Sequence, residues 1–423
     1  MKTAARLQGA IEILQSILYD DIPPEKAVAS WGRAHKFAGS SDRRAINDTL
    51  YDVLRNLGLL KYYMQGISPR LLVVGWMVFI KGQKVKDVHA LFSGDKYCPQ
   101  PLSKTEKQHI LHPRPKPSSK HFEAICNISA ELEPFFCFRD ESDRESLMRS
   151  LQNRAPLDLR VNLSKISRND ALEQLKNDFP KSDFRLTSYS SLGIRCYDHI
   201  SLKEYVLYKD GRIDIQDESS QIACEIAATL TPERMLDFCA GGGGKSLTVG
   251  ILRQDLTDII ATDISEKRLK NIKERADRAA LKIRHIAKHR LTPDNGKFDL
   301  VWIDAPCSGS GTWRRNIYER FATKPDDVKS YAQKQYDILC EASAFNTQKG
   351  YVIYSTCSLF DLENDNVIKK FLNKHDGYKS YSSDNWLKEI NLPEECAVKT
   401  EYGLQFRPDM TGTDGFYISI LQR

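Results

Sequence analysis

The chain has 423 residues, with 62 Lys plus Arg against 56 Asp plus Glu for a formal net charge of +6, and that length suffices for two or three domains with a full core. Hydrophobic residues at 41% and charged residues at 28% exclude a disulfide-stapled miniprotein and a wholly disordered chain. The mild basic surplus suits a polyanionic partner without requiring one.

The ten cysteines include no C-x-x-C pair and none beside a spaced histidine pair, so no metal site is expected. The first six residues lead into an amphipathic helix rather than the apolar stretch of a secretory signal. The most apolar run, residues 71–80, is half the roughly 20 residues that a bilayer requires. These features predict a cytoplasmic, monomeric protein with reduced thiols and no membrane association.

Residues 1–90 read as a helical module. Leu7, Ile11, Ile13, Leu14, Ile17 and Leu18 share one face, and Ile46, Leu50, Val53, Leu54 and Leu57 repeat the spacing behind an expected cap at Ser40-Ser41-Asp42. Residues 91–140, with Pro99, Pro101, Pro113, Pro115 and Pro117, are expected to be a connector carrying short helices near 122–136. Residues 141–215 mix a helix, the alternating run 157–163 and a second helix near 170–177, which predicts a small α+β unit. Residues 216–423 alternate short apolar runs (235–239, 259–263, 300–304, 351–354, then 404 and 416–421) with helical segments. That order predicts a parallel sheet covered on both faces.

Four constellations in this last region carry chemistry. Cys239-Ala240-Gly241-Gly242-Gly243-Gly244-Lys245 lies between a strand and a helix, where glycines let backbone N–H groups approach a ligand. The P-loop register fails because it demands glycine at Cys239, and the G-x-G-x-x-G register fails at Ser246. The next strand ends in Asp263, placed to grip a ribose diol as in doubly wound folds, so loop and acid together describe a nucleoside cofactor. A third strand delivers Asp304-Ala305-Pro306-Cys307-Ser308-Gly309, and a fourth delivers Thr356-Cys357-Ser358. In a parallel sheet all four sets share the ligand-binding edge, so two thiols are expected to face one cofactor.

On Gln216-Asp217-Glu218-Ser219-Ser220-Gln221, Asp237 through Lys245, Asp263, the Pro-Cys and Thr-Cys strands and Gly412-Thr413-Asp414-Gly415-Phe416, residues 141–423 resemble the RNA cytosine-5 methyltransferases of the RsmB/Nop type. Phe37 through Ile46 resembles more weakly the NusB-like RNA-binding module that precedes bacterial RsmB enzymes. The resemblance implies an α/β, Rossmann-like domain that uses S-adenosylmethionine, preceded by a small α+β RNA-binding unit and an all-α module. It implies methylation of carbon 5 of cytosine in ribosomal RNA, in 16S rRNA. Cys357 would then be the nucleophile toward carbon 6 and Cys307 the group that helps release the adduct, because carbon 5 becomes reactive only after a thiolate adds to carbon 6. Asp304 would lie between cofactor and base. Arg160, Arg314 and Arg315 are the expected phosphate contacts, with Trp313 as a stacking platform. An acid that the family places after the third strand is missing, and Lys288 stands in its place. The alternative is a non-catalytic RNA-binding assembly factor that keeps the fold, which the presence of both thiols, Asp304 and Lys245 disfavours.

Overall fold

A computed structural model describes every residue except 119, 199, 255, 256, 293 and 294. It divides the chain into two compact units, residues 1–133 with 316–322, and residues 134–315 with 323–423.

The first unit is helical. Thr3–Leu18 and Ser40–Arg55 bury the two predicted apolar stripes, with Ala10, Leu14, Leu50, Val53 and Leu54 fully covered. Gly39, not a serine, occupies the cap position of Ser40–Arg55 and makes no side-chain bond there, while the Asp42 carboxylate turns to accept from Arg6 Nε at 2.8 Å. The apolar run is Pro69–Gly75 continued by a π-helical turn, Trp76–Ile80, and Leu72, Val73 and Val74 lie in the core. Among the described residues no single helix is long and apolar enough to cross a membrane.

The expected connector is corrected by this unit, which continues to residue 133. The prolines flank a capped helix, Lys104–Leu111, in which Ser103 and Glu106 satisfy each other's backbone N–H groups. Leu102 and Ile110 join the helical core. Buried Asn127 closes the segment, donating to the carbonyls of Leu54 and Arg55 at 3.1 and 2.8 Å and accepting from Gly58 N at 2.6 Å.

The second unit holds two sheets. Strands β1 (Leu157–Val161), β2 (Phe184–Leu186), β3 (Gly193–Cys196) and β4 (Ile213–Ile215) form an antiparallel sheet in the order β2-β3-β1-β4. The larger sheet contains β5 (Arg234–Asp237), β6 (Asp258–Asp263), β7 (Ile283–Ala287), β8 (Phe298–Asp304), β9 (Asn346–Thr356), β10 (Lys379–Ser380), β11 (Val398–Lys399), β12 (Gly403–Phe406) and β13 (Phe416–Gln422). Its order is β11-β12-β13-β9-β8-β5-β6-β7, with β10 also on β13. Strands β9-β8-β5-β6-β7 are parallel, as expected, whereas β10 to β13 pair antiparallel. A purely parallel sheet is thus the wrong description of the C-terminal edge, where β13 folds back along β9 over Tyr351 to Thr356.

Helices cover both faces. Leu269, Ile272, Ala276 and Ala279 of Glu266–Ala279 pack inward, and Ile338, Leu339 and Ala342 of Pro325–Ser343 cover the opposite core with Val301, Ile303 and Tyr354. The topology reverses around β5, whose neighbours β6 and β8 extend the sheet in opposite directions. The crevice beyond the carboxyl ends at such a switch point is where doubly wound folds bind ligands.

Candidate active site

Asp237, Asp263 and Asp304 are the last residues of β5, β6 and β8, and Cys357 directly follows the end of β9. The shared edge therefore carries all four constellations. In the glycine loop, Gly241 adopts φ +54°, and a Cβ there would meet nothing within 4 Å, so the space over it is open. Its N–H donates to Asp263 Oδ2 at 2.9 Å, while Oδ1 accepts from Ser265 N at 2.8 Å. Ala240 N donates to the Thr262 carbonyl at 2.9 Å, and Gly243 N closes a turn on Ala240 O at 2.7 Å. The carbonyl of Gly242 accepts from Arg275 and that of Gly244 from Arg160. Burial pushes the Cys239 thiol up to about 12, so this residue offers its backbone rather than a thiolate.

Lys245 Nζ donates to Asp304 Oδ2 at 2.6 Å, and Ser355 Oγ donates to Oδ1 at 3.2 Å. Burial opposes the charge on Lys245, yet the Asp304 pair outweighs it and leaves the lysine above its ordinary value. The ammonium also lies 5.3 Å from the centroid of the Phe416 ring. Beneath it, burial pushes Asp237 up to about 7 although Ser246 Oγ donates to its Oδ2 at 2.6 Å.

The sulfurs of Cys307 and Cys357 lie 3.3 Å apart. Both residues are free thiols and half-buried. The hydrogen bond to Cys357, then burial, holds the Cys307 thiol well above its ordinary value. Gly311 N donates to the Cys357 carbonyl at 2.9 Å, and Gly415 N donates to Gly311 O at 3.0 Å. A Cβ on Gly311 would stand 2.3 Å from Gly415 O. This backbone crossing is why glycine is needed on both sides, and it ties the Gly412 to Phe416 motif to the cysteine loops.

Two of the three predicted phosphate contacts, Arg160 and Arg314, are corrected by their burial, whereas Arg315 is exposed. Arg160 is 2% exposed and donates to Gln216 Oε1, Gly244 O and Thr248 Oγ1 at 3.0, 3.0 and 2.7 Å, with Asp214 at 3.5 Å. Its bonds to Gly244 O and Thr248 Oγ1 reach the first turns of the helix Gly244–Arg253, so it supports the glycine loop from within the protein. Arg314 is 4% exposed and donates to Gly412 O, Thr413 O and Asp414. Arg315 joins Asp414, Asp217 and the Pro156 carbonyl. Each guanidinium holds one family motif to another. Trp313 is fully buried, edge-on to Phe360 at 5.7 Å, and is no stacking platform. Lys288 is paired with Glu341 at 2.8 Å and lies 4.8 Å from the centroid of the Phe238 ring.

Two residues escaped the sequence reading. Ile264, next to Asp263, is 75% exposed; an apolar side chain bared at the ligand edge suits the flat face of a purine, and the signal was an isoleucine after a strand-end acid. Glu363 is fully buried. Its Oε1 accepts from Ser308 N and Gln335 Nε2, each at 2.9 Å, and its Oε2 accepts from Ser358 Oγ at 2.6 Å and from Ser308 Oγ. Bonds to a charged acceptor contribute about 1.5–3 kcal/mol each. Four of them offset the several kcal/mol that burying a carboxylate costs. The available signal was the repeated Cys-Ser at 307–308 and 357–358.

Residues 227–422 match the family model described as 16S rRNA methyltransferase RsmB/F. Those residues form a methyltransferase domain of the RsmB/F family. The chain is 32% identical over 279 residues to the probable ribosomal RNA small subunit methyltransferase B of Bacillus subtilis, covering 63% of this chain and 59% of that one. It is 30% identical to the protein of the same name from Coxiella burnetii, over 66% of this chain and 64% of that one. The match therefore spans about three fifths of those relatives' lengths. Among solved structures, PH0851 superposes with a TM-score of 0.71 at 21% identity, covering 100% of this chain and 99% of that one. NSun6 from Pyrococcus horikoshii, solved with SFG, superposes at 0.57 and 18% identity over 73% of this chain and 98% of that one. These likenesses establish the fold. S-adenosylmethionine is the cofactor of the RsmB/F domain, and the residues here fit it: the space over Gly241 is open at the carboxyl ends of β5, β6 and β8, where Asp263 and Asp304 close two of the strands.

Proposed function

We propose that the protein transfers a methyl group from S-adenosylmethionine to carbon 5 of a cytosine in RNA, its substrate being 16S rRNA. The observation that carries this reading is the 3.3 Å approach of the Cys307 and Cys357 sulfurs on the rim that also bears the glycine loop. One-cysteine chemistry gives no reason for the second thiol. The names of the relatives, ribosomal RNA small subunit methyltransferase B, support RNA as the substrate class.

When bound, the cofactor supplies an electrophilic methyl group on a sulfonium. Cytosine carbon 5 is too poor a nucleophile to take it unaided. The Cys357 thiolate adds to carbon 6, its electron pair forms the sulfur–carbon bond, and the ring's double-bond electrons become available at carbon 5. The Cys307 sulfur lies 3.3 Å from this nucleophile, within hydrogen-bond reach of it. Negative charge that builds on the ring faces the charged Lys245 ammonium, while the Asp304 carboxylate accepts from the exocyclic amino group. Once carbon 5 carries the methyl, its hydrogen leaves as a proton taken up by solvent water. That electron pair restores the ring double bond, and the carbon–sulfur bond breaks with its pair returning to Cys357. Cys307 is the group beside that sulfur and assists this elimination. The target base must leave its stack to be reached, at a cost of a few kcal/mol that is least in unpaired RNA.

The test is transfer of labelled methyl from the cofactor to 16S rRNA and to DNA of the same sequence, with cofactor binding measured separately. Label at cytosine in the RNA alone supports the reading. Cofactor binding without label on any small-subunit RNA favours the non-catalytic assembly factor instead.

A further inference from the structure

We propose that Glu363 is a positioning residue for the cysteine pair, its buried carboxylate clipping the Cys307-Ser308 and Cys357-Ser358 segments into one unit. The proposal rests on the two-thiol reading above, and the geometry carries it. One carboxylate spans the ends of two strands, accepting from Ser308 N and Oγ on one side and from Ser358 Oγ on the other. Each serine directly follows one of the cysteines, so the clip acts one residue from each sulfur. Gln335 braces it, donating one Nε2 hydrogen to Glu363 Oε1 and bonding Pro306 O, both at 2.9 Å. The Tyr354 hydroxyl donates to the Glu363 carbonyl at 2.5 Å, and Ser310 Oγ joins Ser358 Oγ at 3.1 Å.

None of the four groups on the carboxylate is a cation, and the side chain is fully enclosed. Four hydrogen bonds without a cation offset the cost of burying the carboxylate but add little beyond it, so the arrangement is a poor way to gain stability alone. Its field does reach the pair: after the bond to Cys357 and burial, the Glu363 charge is a further cause that keeps the Cys307 proton in place. The clip therefore sets the separation of the sulfurs, and its charge bears on the Cys307 thiol.

The test compares Glu363→Gln and Ser308→Ala/Ser358→Ala with the parent protein in two assays. The first follows alkylation of Cys307 and Cys357 by iodoacetamide against pH, each site resolved by mass spectrometry, and needs neither RNA nor cofactor. The second is single-turnover methyl transfer. For folded Glu363→Gln, half-maximal alkylation of Cys307 is expected at lower pH than in the parent. Methyl transfer is expected to fall about tenfold or more, as misplacement of reacting groups produces, with KM for RNA and cofactor changed less than about twofold. The serine double variant is expected to move the same two readouts and decides the matter if Glu363→Gln does not fold. An unchanged Cys307 alkylation profile in a folded variant overturns the proposal. A shifted profile in a protein whose parent methylates no RNA leaves the clip standing and removes the functional reading instead.

Discussion

The ammonium of Lys245 and the carboxylate of Asp304 meet at 2.6 Å, joining the helix after the glycine loop to the strand that delivers the first cysteine. Cofactor cradle and thiols are thereby held as one assembly. Asp304→Asn leaves a largely buried ammonium without its counter-charge, which costs about 2 kcal/mol. Thermal melting is expected to show that loss, and methyl transfer is expected to fall about a hundredfold, the scale of a lost electrostatic stabiliser. Melting and turnover equal to the parent's would show that the pair serves neither purpose.

Arg160 is a strut. Arg160→Ala breaks bonds to Gln216, Gly244 and Thr248 and is expected to lower stability by about 3 kcal/mol, as breaking a buried polar network does. The salt dependence of RNA binding is expected to keep its slope, because no phosphate contact is lost. A slope reduced by about one counterion would return Arg160 to the RNA interface.

Asp237 makes stability depend on pH. Burial raises its folded value from 3.8 to about 7. A raised carboxyl contributes stability that is complete below the unfolded value and lost as pH climbs through the folded one. The urea midpoint of the parent is therefore expected to decline between about pH 4 and pH 7. Asp237→Asn, which keeps an oxygen for Ser246, is expected to flatten that decline. Parallel curves for the two proteins would remove Asp237 as the cause.

Gly311→Ala places a methyl carbon 2.3 Å from the Gly415 carbonyl oxygen, and neither backbone has room to yield. Overpacking of this kind costs about 1–3 kcal/mol or more. Because Gly311 N also holds the Cys357 carbonyl, methyl transfer is expected to fall along with melting temperature. A variant with parental melting and activity would show the crossing to be slack.

Much of this site was legible in the sequence because strands write their ends plainly. Asp237, Asp263 and Asp304 each close an apolar run, and the structure ends β5, β6 and β8 at those residues. The arginines were not legible, since a cation within or beside a strand reads the same whether solvent, phosphate or a carbonyl meets it. Only the partners at Gln216, Gly244 and Thr248 decided Arg160, and the carbonyls of Gly412 and Thr413 decided Arg314. Residues 91–133 misled for a different reason: five prolines suggest a linker, yet Leu102, Ile110 and Asn127 are buried in the helical unit. Glu363 follows Cys357 by six positions with no periodicity to mark it, and its meaning emerges only when two strands bring both serines to one carboxylate.

The central claim divides the two thiols, and the measurement that reaches it most directly is denaturing electrophoresis of each cysteine variant after incubation with cofactor and labelled 16S rRNA. Cys307→Ala is expected to give a protein–RNA adduct that survives denaturation, while Cys357→Ala gives none and transfers no methyl. An adduct in Cys357→Ala with none in Cys307→Ala would reverse the roles, and no adduct in either would contradict covalent catalysis by this pair.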